Sequence, residues 1–188
     1  MINQLHVDNS WTLFLDRDGV INYEKEADYI YNKDEFVLYE GVVEAMQIFT
    51  RSFGRIILVT NQRGIGKGLM TEDDLHGIHQ HMNAVFNEAG AKVDGIYYCT
   101  SLDNSHPDRK PQPGMGYRAK NDFPSIDFSK SVMVGNSLSD MEFGRNLGMY
   151  TVYIRTIVPG LTLPHPAVDD AYNDLLNFAR TLPSLRKP

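Results

Sequence analysis

The fold is decided by the stretch Trp11-Thr-Leu-Phe-Leu-Asp16-Arg-Asp18-Gly19-Val20, in which an apolar run ends abruptly in two carboxylates and a glycine. Alternate side chains of a strand share a face, so Asp16 and Asp18 can approach one reacting centre where the chain turns at Gly19. One carboxylate could then attack while its neighbour moves a proton. Taken alone, the same residues also fit an ordinary strand that ends in a solvated turn.

The composition is that of one globular domain. The chain has 188 residues, 42% of them hydrophobic and 22% charged, which is enough to bury a core. No window is apolar over the length of a membrane span, and the first residues lack the profile of a signal peptide. Cys99 is the single cysteine, which excludes an internal disulfide and fits a reducing compartment. We therefore expect one domain over residues 1–188, located in the cytoplasm.

The charge of the chain limits its partners. The formal net charge is -6, which argues against a nucleic-acid partner. An anionic small molecule is not excluded, because it responds to local charge rather than to the total. We expect a monomer that binds neither nucleic acid nor a membrane.

Hydrophobic periodicity predicts short strands that alternate with amphipathic helices, the pattern of an α/β fold with an open parallel sheet and helices on both faces. Strands are predicted at residues 12–16, 55–60, 96–99, 131–135 and 150–154. Helices are predicted at residues 40–53, 71–89, 138–147 and 170–182. The proline-rich residues 159–166 are interpreted as a surface loop.

Polar clusters follow four of the predicted strands. Ligands of open α/β sheets bind beyond the carboxyl ends of the strands, so these clusters are expected to form one site. This repeated placement argues against the solvated-turn interpretation of the first cluster. The clusters are Asp16 with Asp18, Thr60-Asn61-Gln62-Arg63, Arg109-Lys110-Pro111, and Gly135-Asn136-Ser-Leu-Ser-Asp140.

Four ordered motifs resemble those of the haloacid dehalogenase (HAD) superfamily phosphatases. They are Asp16-Arg-Asp18-Gly, Val59-Thr60-Asn61-Gln62, Arg109-Lys110-Pro-Gln-Pro-Gly-Met and Val134-Gly-Asn136-Ser-Leu-Ser-Asp140-Met. In detail they look most like the branch that contains the D-glycero-D-manno-heptose 1,7-bisphosphate phosphatases and the histidinol-phosphate phosphatases. The resemblance spans nearly the whole chain. It implies a Rossmann-like fold with a small flap around residues 21–36, a segment that fits either a flap closing over a substrate or an edge hairpin packing its own aromatic side chains. No large cap domain is evident in the sequence.

The resemblance also implies chemical roles. Asp16 would attack phosphorus and form an aspartyl-phosphate. Asp18 would protonate the leaving oxygen and later deprotonate the attacking water. Thr60, Asn61 and Lys110 would hold the phosphoryl group of a small-molecule phosphate ester.

A magnesium ion is expected as cofactor. A carboxylate that attacks a phosphate dianion meets charge repulsion, which a divalent cation and an ammonium can neutralise, and hard Mg²⁺ suits an all-oxygen site. The resemblance implies that the ligands are Asp16, Asp18 through its carbonyl, Asn136 and Asp140. Position 136 usually carries aspartate in this family, so the neutral Asn136 predicts weaker Mg²⁺ binding. It also leaves open a catalytically weak binding or regulatory module.

No zinc is expected. Members of this branch often carry a structural zinc site made of three cysteines and a histidine. This chain offers only Cys99 and His106 there, and a structural zinc needs four protein ligands. The shortened loop at residues 100–108 is expected to change the wall that faces the substrate.

Basic residues bear on the choice of substrate. Arg109 beside Lys110 supplies a second cation suited to phosphate, which favours a sugar bisphosphate such as D-glycero-D-manno-heptose 1,7-bisphosphate. Histidinol phosphate or another small phosphomonoester is the alternative. Residues 64–68 are interpreted as a flexible loop, where Arg63 and Lys67 either place positive charge at the entrance or are simply solvated.

A helix-surface position is expected for His76, His79 and His81, with His79 nearest the buried stripe.

Overall fold

The computed structural model describes residues 6–157 and 159–182. Its centre is a six-stranded parallel sheet in the order β3-β2-β1-β4-β5-β6. The strands are β1 (Thr12–Leu15), β2 (Arg55–Asn61), β3 (Gly95–Cys99), β4 (Ser131–Gly135), β5 (Tyr150–Ile154) and β6 (Asp170–Tyr172). The helices are α1 (Val42–Ser52), α2 (Arg63–Gly66), α3 (Glu72–Glu88), α4 (Gly114–Asp122), α5 (Leu138–Asn146) and α6 (Leu175–Ala179). The predicted α/β fold with an open parallel sheet is confirmed.

The sheet is covered by helices on both faces. Every residue of β1 and β4 is buried, as expected for central parallel strands. Alternate residues point to opposite faces, so Leu13 and Leu15 pack into the layer of α1, α3 and α6 while Phe14 packs with α4 and α5. This alternation creates two apolar cores, one on each face of the sheet.

The position of the crevice follows from the strand order. The central strand β1 pairs with β2 on one side and with β4 on the other, so the chain connections lead away from β1 in opposite directions. Such a reversal leaves a crevice beyond the carboxyl ends of the central strands. The polar residues that follow β1, β2 and β4 all lie at that edge.

The prediction of one helix over residues 170–182 is wrong. Asp170–Tyr172 forms the edge strand β6, which pairs with β5, and α6 begins only after Asp174 caps the backbone N–H of Asn177. The spacing of Tyr172, Leu175 and Phe178 resembles the apolar stripe of a helix. Residues 170–172 nevertheless pair with the open edge of β5 as a strand. Hydrogen bonding to a distant partner therefore overrides local periodicity.

Two further helices were not predicted. The helix α4 contains two glycines and few apolar residues, although the pair Met115 and Ala119 at i, i+4 marks its buried side. Residues 63–66 form the single-turn helix α2. The interpretation of residues 64–68 as a flexible loop is therefore wrong for residues 64–66, which are helical.

The segment between β1 and α1 lies over one side of the crevice. It includes a 3₁₀ helix, Lys33–Glu35, capped by Asn32, and Lys25 forms an ion pair with Glu35 at 2.8 Å. Tyr29 packs against Gly64 at the start of the second motif's loop. In the part of the chain that the structure describes, no helix has the length and apolar character to cross a membrane.

The packing of α6 can be tested with Phe178→Ala. The Phe178 ring is fully buried, with its centroid 5.4 Å from that of Phe49 and 5.5 Å from that of Tyr172. We expect the substitution to lower the free energy of unfolding by about 3–5 kcal/mol in denaturant titrations. Arg180→Ala, which removes an exposed ion pair beside the same helix, should cost less than about 1 kcal/mol. Similar losses for both variants would contradict this account of the core.

Candidate active site

The first motif stands at the end of β1. Its backbone continues the ladder, with Asp16 N–H donating to the carbonyl of Val134 at 3.0 Å, and the chain then turns at Gly19, whose φ is +79°. A Cβ on Gly19 would lie 1.8 Å from Nδ2 of Asn136. Glycine is therefore needed for both the left-handed conformation and the close approach of the fourth motif.

Lys110 joins the first and fourth motifs. Its buried ammonium lies 2.9 Å from Asp16 Oδ1 and 2.6 Å from Asp140 Oδ1, and it donates to the Val59 carbonyl at 2.8 Å. Burial opposes the charged form of Lys110, but the carboxylates of Asp140 and Asp16 raise its pKa. Burial and the charge of Asp140 raise the pKa of Asp16 to about 7, against the attraction of Lys110. When ionised, Asp16 and Asp140 together carry more negative charge than the single ammonium of Lys110 neutralises.

Asn61 holds the backbone of Lys110. Its Oδ1 accepts the Lys110 N–H at 3.1 Å, and its Nδ2 donates to the Lys110 carbonyl at 3.2 Å. This reciprocal pair of hydrogen bonds fixes the backbone of the residue that carries the ammonium. The polar atoms of the Asn61 side chain thus both contact Lys110. The neighbouring Thr60 is buried, and its hydroxyl accepts a hydrogen bond from Gln62.

The Asp18 carboxylate is surrounded by donors. Arg17 binds both of its oxygens, with Nη2 2.9 Å from Oδ1 and 2.8 Å from Oδ2, while Asn22 and Gln62 each donate at 2.9 Å. Burial alone would raise the pKa of Asp18, but the charge of Arg17 and these hydrogen bonds lower it below its usual value. The sequence indicates no chemical role for Arg17 or Gln62, although both lie inside the quoted motifs and Gln62 belongs to one of the predicted polar clusters.

His79 supports Arg17 from α3. Arg17 is fully buried, and its Nη1 lies 3.2 Å from His79 Nε2. A guanidinium has no acceptor, so this ring nitrogen must accept, and the imidazole is neutral. Burial and the charge of Arg17 lower the pKa of His79 to about 3. The predicted helix-surface position is wrong for His79, which is buried because its ring packs onto Arg17, although His79 does lie nearest the apolar stripe as expected. His76 and His81 are exposed, as predicted.

Asn136 has a fixed orientation. Its amide nitrogen donates to Glu24 Oε1 at 3.0 Å and to the Thr156 hydroxyl at 3.1 Å, and that hydroxyl donates to the Gly19 carbonyl. Both hydrogen bonds use the amide nitrogen, so the amide oxygen is available to a cation. Glu24 was not predicted, because it lies in the segment after the first motif and has no motif neighbours.

Asp140 has two structural partners. It stands at the third position of α5, where its Oδ2 accepts from the Ser137 hydroxyl at 2.7 Å and the Ser137 N–H at 3.0 Å. This capping box fixes the carboxylate, and Oδ1 remains for Lys110. Helix capping therefore orients a charged group of the site.

Residues from all four motifs and Glu24 line one cavity of about 180 Å³ at the carboxyl edge of the sheet. A larger cavity of about 430 Å³ adjoins it and shares Glu24 and Ile157 with it. The residues that the sequence predicted at the first cavity are Asp16, Asp18, Thr60, Asn61, Lys110, Asn136 and Asp140.

Arg109 lies apart from that cavity wall. Its guanidinium donates to the Ser101 carbonyl at 3.1 Å and to Asn104 Oδ1 at 3.3 Å, so it faces the loop of residues 100–108. At the end of β3, Cys99 Sγ lies 3.7 Å from Nδ1 of His106 in that loop. The Arg109 guanidinium is therefore held by the loop and not by the reacting groups.

Comparisons with known proteins identify the family of the chain. A family model described as polynucleotide kinase 3 phosphatase matches residues 8–153. A D-glycero-beta-D-manno-heptose-1,7-bisphosphate 7-phosphatase from Photorhabdus laumondii is 34% identical, covering 93% of this chain and 96% of that protein. A D-glycero-alpha-D-manno-heptose-1,7-bisphosphate 7-phosphatase from Burkholderia mallei is 37% identical, with 76% and 78% covered.

A solved structure shares the whole architecture. The D,D-heptose 1,7-bisphosphate phosphatase from B. bronchiseptica, complexed with magnesium and phosphate, superposes with a TM-score of 0.81 at 27% identity, covering 92% of this chain and 97% of that one. The fold and the site thus define a HAD-type phosphatase. The chain belongs to the polynucleotide kinase 3 phosphatase family of the HAD superfamily, as the resemblance of its motifs implied.

The buried imidazole of His79 should make stability depend on pH. Its pKa is about 3 in the folded protein and 6.5 ordinarily, so below pH 6.5 the unfolded chain binds a proton that the folded protein does not. Lowering the pH from 7.5 to 5 should then cost about 2 kcal/mol through this residue. We expect His79→Gln to remove that part of the loss in urea titrations at the two pH values. His76→Gln, on the exposed side of α3, is the control, and an unchanged loss in His79→Gln would contradict the assignment.

Proposed function

We propose that the protein hydrolyses a heptose 1,7-bisphosphate through an aspartyl-phosphate on Asp16, with Mg²⁺ as cofactor. The observation that carries the proposal is the contact of Asp16 with the buried ammonium of Lys110 at one cavity with Asn136 and Asp140. The names of the relatives from Photorhabdus laumondii and Burkholderia mallei support the choice of substrate. The single cysteine favours a cytoplasmic location.

The donor set fits magnesium. Asp16, Asn136 and Asp140 offer oxygen atoms only, and the acidic residues exceed the positive charge of Lys110. Among residues 6–157 and 159–182, no three acidic, histidine or cysteine side chains form a group suited to a metal, so Asn136 and the carbonyl of Asp18 would have to contribute. When bound, Mg²⁺ would neutralise charge on the phosphoryl oxygens and favour the ionised form of Asp16.

The residues of the chain account for both chemical steps. An oxygen of Asp16 forms a bond to phosphorus while the bond from phosphorus to the ester oxygen breaks, and the protonated Asp18 gives its proton to that oxygen. Asp18 must turn away from Arg17 to do so, because Arg17 favours its ionised form. Water then attacks phosphorus, Asp18 accepts its proton, and Asp16 is released. Lys110 and Thr60 would hold the phosphoryl oxygens, with Asn61 fixing Lys110.

The substrate has specific alternatives. The two relatives differ in the anomer that their names state, so both anomers belong in the assay. Histidinol phosphate tests the alternative substrate that the resemblance of the motifs leaves open. A 3′-phosphorylated oligonucleotide tests the description of the family model, although the net charge of -6 argues against such a substrate.

Asp16→Asn should abolish turnover of every ester, because an amide cannot attack phosphorus while its volume is nearly the same. Mass spectrometry of the wild-type protein quenched during turnover should find the phosphoryl group on Asp16. Thr50→Ser, a conservative change on α1 away from the site, is the control. Substantial activity in Asp16→Asn, or label on another residue, would overturn the covalent mechanism.

Asn136→Asp should bind Mg²⁺ more tightly, because it adds a negative charge to the oxygen set. The same change replaces the donor to Glu24 with a second carboxylate, so the metal-free protein should lose about 1–3 kcal/mol of stability. Calorimetric titration with Mg²⁺ and thermal unfolding with and without Mg²⁺ measure the two effects. The double variant Glu24→Gln with Asn136→Asp should recover the metal-free stability. Unchanged Mg²⁺ affinity in Asn136→Asp would remove position 136 from the metal site.

A further inference from the structure

Glu24 is a carboxylate at the first cavity that the two chemical steps do not use. It lies in the segment between β1 and α1 and lines the cavity together with Asp16, Asn136 and Asp140. Its Oε1 accepts a hydrogen bond from Asn136 Nδ2 at 3.0 Å. Both atoms pack against Gly19, where a Cβ would lie 1.8 Å from that nitrogen and 2.9 Å from Oε1. The carboxylate of Glu24 is therefore held against the turn of the first motif.

The neighbours of Glu24 fix its position without neutralising its charge. The preceding residue, Tyr23, donates its backbone N–H to the Val37 carbonyl at 2.9 Å. The following residue, Lys25, forms its closest ion pair with Glu35, at 2.8 Å. Among residues 6–157 and 159–182, no cationic side chain lies at ion-pair distance from Glu24. Its negative charge is therefore uncompensated in the described structure.

The charges around the cavity do not balance. Four carboxylates line it, and two cationic side chains contact three of them. The ion pairs are Asp18 with Arg17, and Lys110 with both Asp16 and Asp140. When all four carboxylates are ionised, negative charges exceed positive charges by two, and Glu24 contributes one of these. A single divalent cation would balance the group, whereas without Glu24 half of that excess would be missing.

Asn136 brings an oxygen to the cavity but no charge. Its amide nitrogen donates to Glu24 and to the hydroxyl of Thr156, which leaves the amide oxygen for a cation. Thr156 is neutral, so Glu24 supplies the charge in this set of hydrogen bonds. Hydrogen bonds in a chain polarise one another, and groups bonded to a metal ligand tune its affinity for the metal. The carboxylate of Glu24 therefore makes the Asn136 oxygen a stronger ligand.

We propose that Glu24 supplies the negative charge that Asn136 lacks and acts as a positioning and charge-balancing residue of the Mg²⁺ site. The inference rests on the proposed function, which places Mg²⁺ at this cavity. Asn136 provides the oxygen and Glu24 provides the charge, so two residues that are far apart in the chain together replace one carboxylate ligand.

Glu24→Gln separates the charge from the hydrogen bond, because the glutamine oxygen can accept the same bond from Asn136. Calorimetric titration of the metal-free protein with MgCl₂ at constant ionic strength measures binding. We expect the Kd for Mg²⁺ to rise about three- to thirtyfold. Urea titrations should show no loss of stability in the metal-free protein, because the change removes negative charge from an acidic cavity. Unchanged Mg²⁺ affinity would overturn the inference.

The double variant Glu24→Gln with Asn136→Asp moves the charge from position 24 to position 136. It should bind Mg²⁺ at least as tightly as the wild-type protein, and binding as weak as in Glu24→Gln alone would contradict the inference. Glu26→Gln is the matched control. It removes the same charge two residues further along, from the wall of the larger adjoining cavity only, and should change the Kd less than about twofold. Equal weakening in Glu26→Gln would show that only the total charge matters.

These measurements need no substrate, so they stand apart from the proposed reaction. Mg²⁺ affinity that depends on Glu24 supports the inference even if heptose 1,7-bisphosphate is not hydrolysed, an outcome that would refute only the proposed substrate. If the bisphosphate is hydrolysed with Mg²⁺ while Glu24→Gln binds the ion as tightly as the wild-type protein, only the inference fails. A wild-type protein that binds no Mg²⁺ would overturn both the inference and the proposed cofactor.

Discussion

The ammonium of Lys110 lies between two buried carboxylates, and the site depends on this contact. It is 2.9 Å from Asp16 and 2.6 Å from Asp140, so it joins the ends of β1 and β4 across the crevice. Loss of one member of such a buried group leaves an uncompensated charge, at a cost of about 3–5 kcal/mol. Asn61 holds the lysine backbone from β2, and the capping box of α5 holds Asp140. One cation therefore links three strands to the geometry of the site.

A second network keeps the two carboxylates of the first motif in different states. Asp18 is bound by Arg17, Asn22 and Gln62, which lower its pKa, whereas burial and Asp140 raise the pKa of Asp16. The neutral ring of His79 anchors Arg17 from α3. Groups that are two residues apart thus differ in pKa because their surroundings differ.

The rim of the site follows another principle. Its two arginines, Arg63 and Arg109, are held by carbonyl groups and one amide instead of carboxylates, so their charge is not cancelled within the described structure. The loop of residues 100–108 provides these neutral acceptors. In the first cavity, by contrast, acidic groups outnumber the single ammonium. Acidic groups therefore collect at the first cavity, while the two arginines lie beside neutral acceptors of the neighbouring loop.

The sequence alone determined which motifs follow the central strands, in what order, and which polar residues stand at the strand ends. These features are readable because apolar runs, turn residues and capping boxes are local patterns. Asp16, Lys110 and Asp140 could be predicted as one site from them. The edge strand β6, the hold of Asn61 on Lys110, the donor role of Asn136 toward Glu24 and the meeting of Arg63 with Arg109 could not be predicted. These contacts join residues far apart in the chain, and only the packing of the sheet, helices and loops brings their atoms within hydrogen-bond distance.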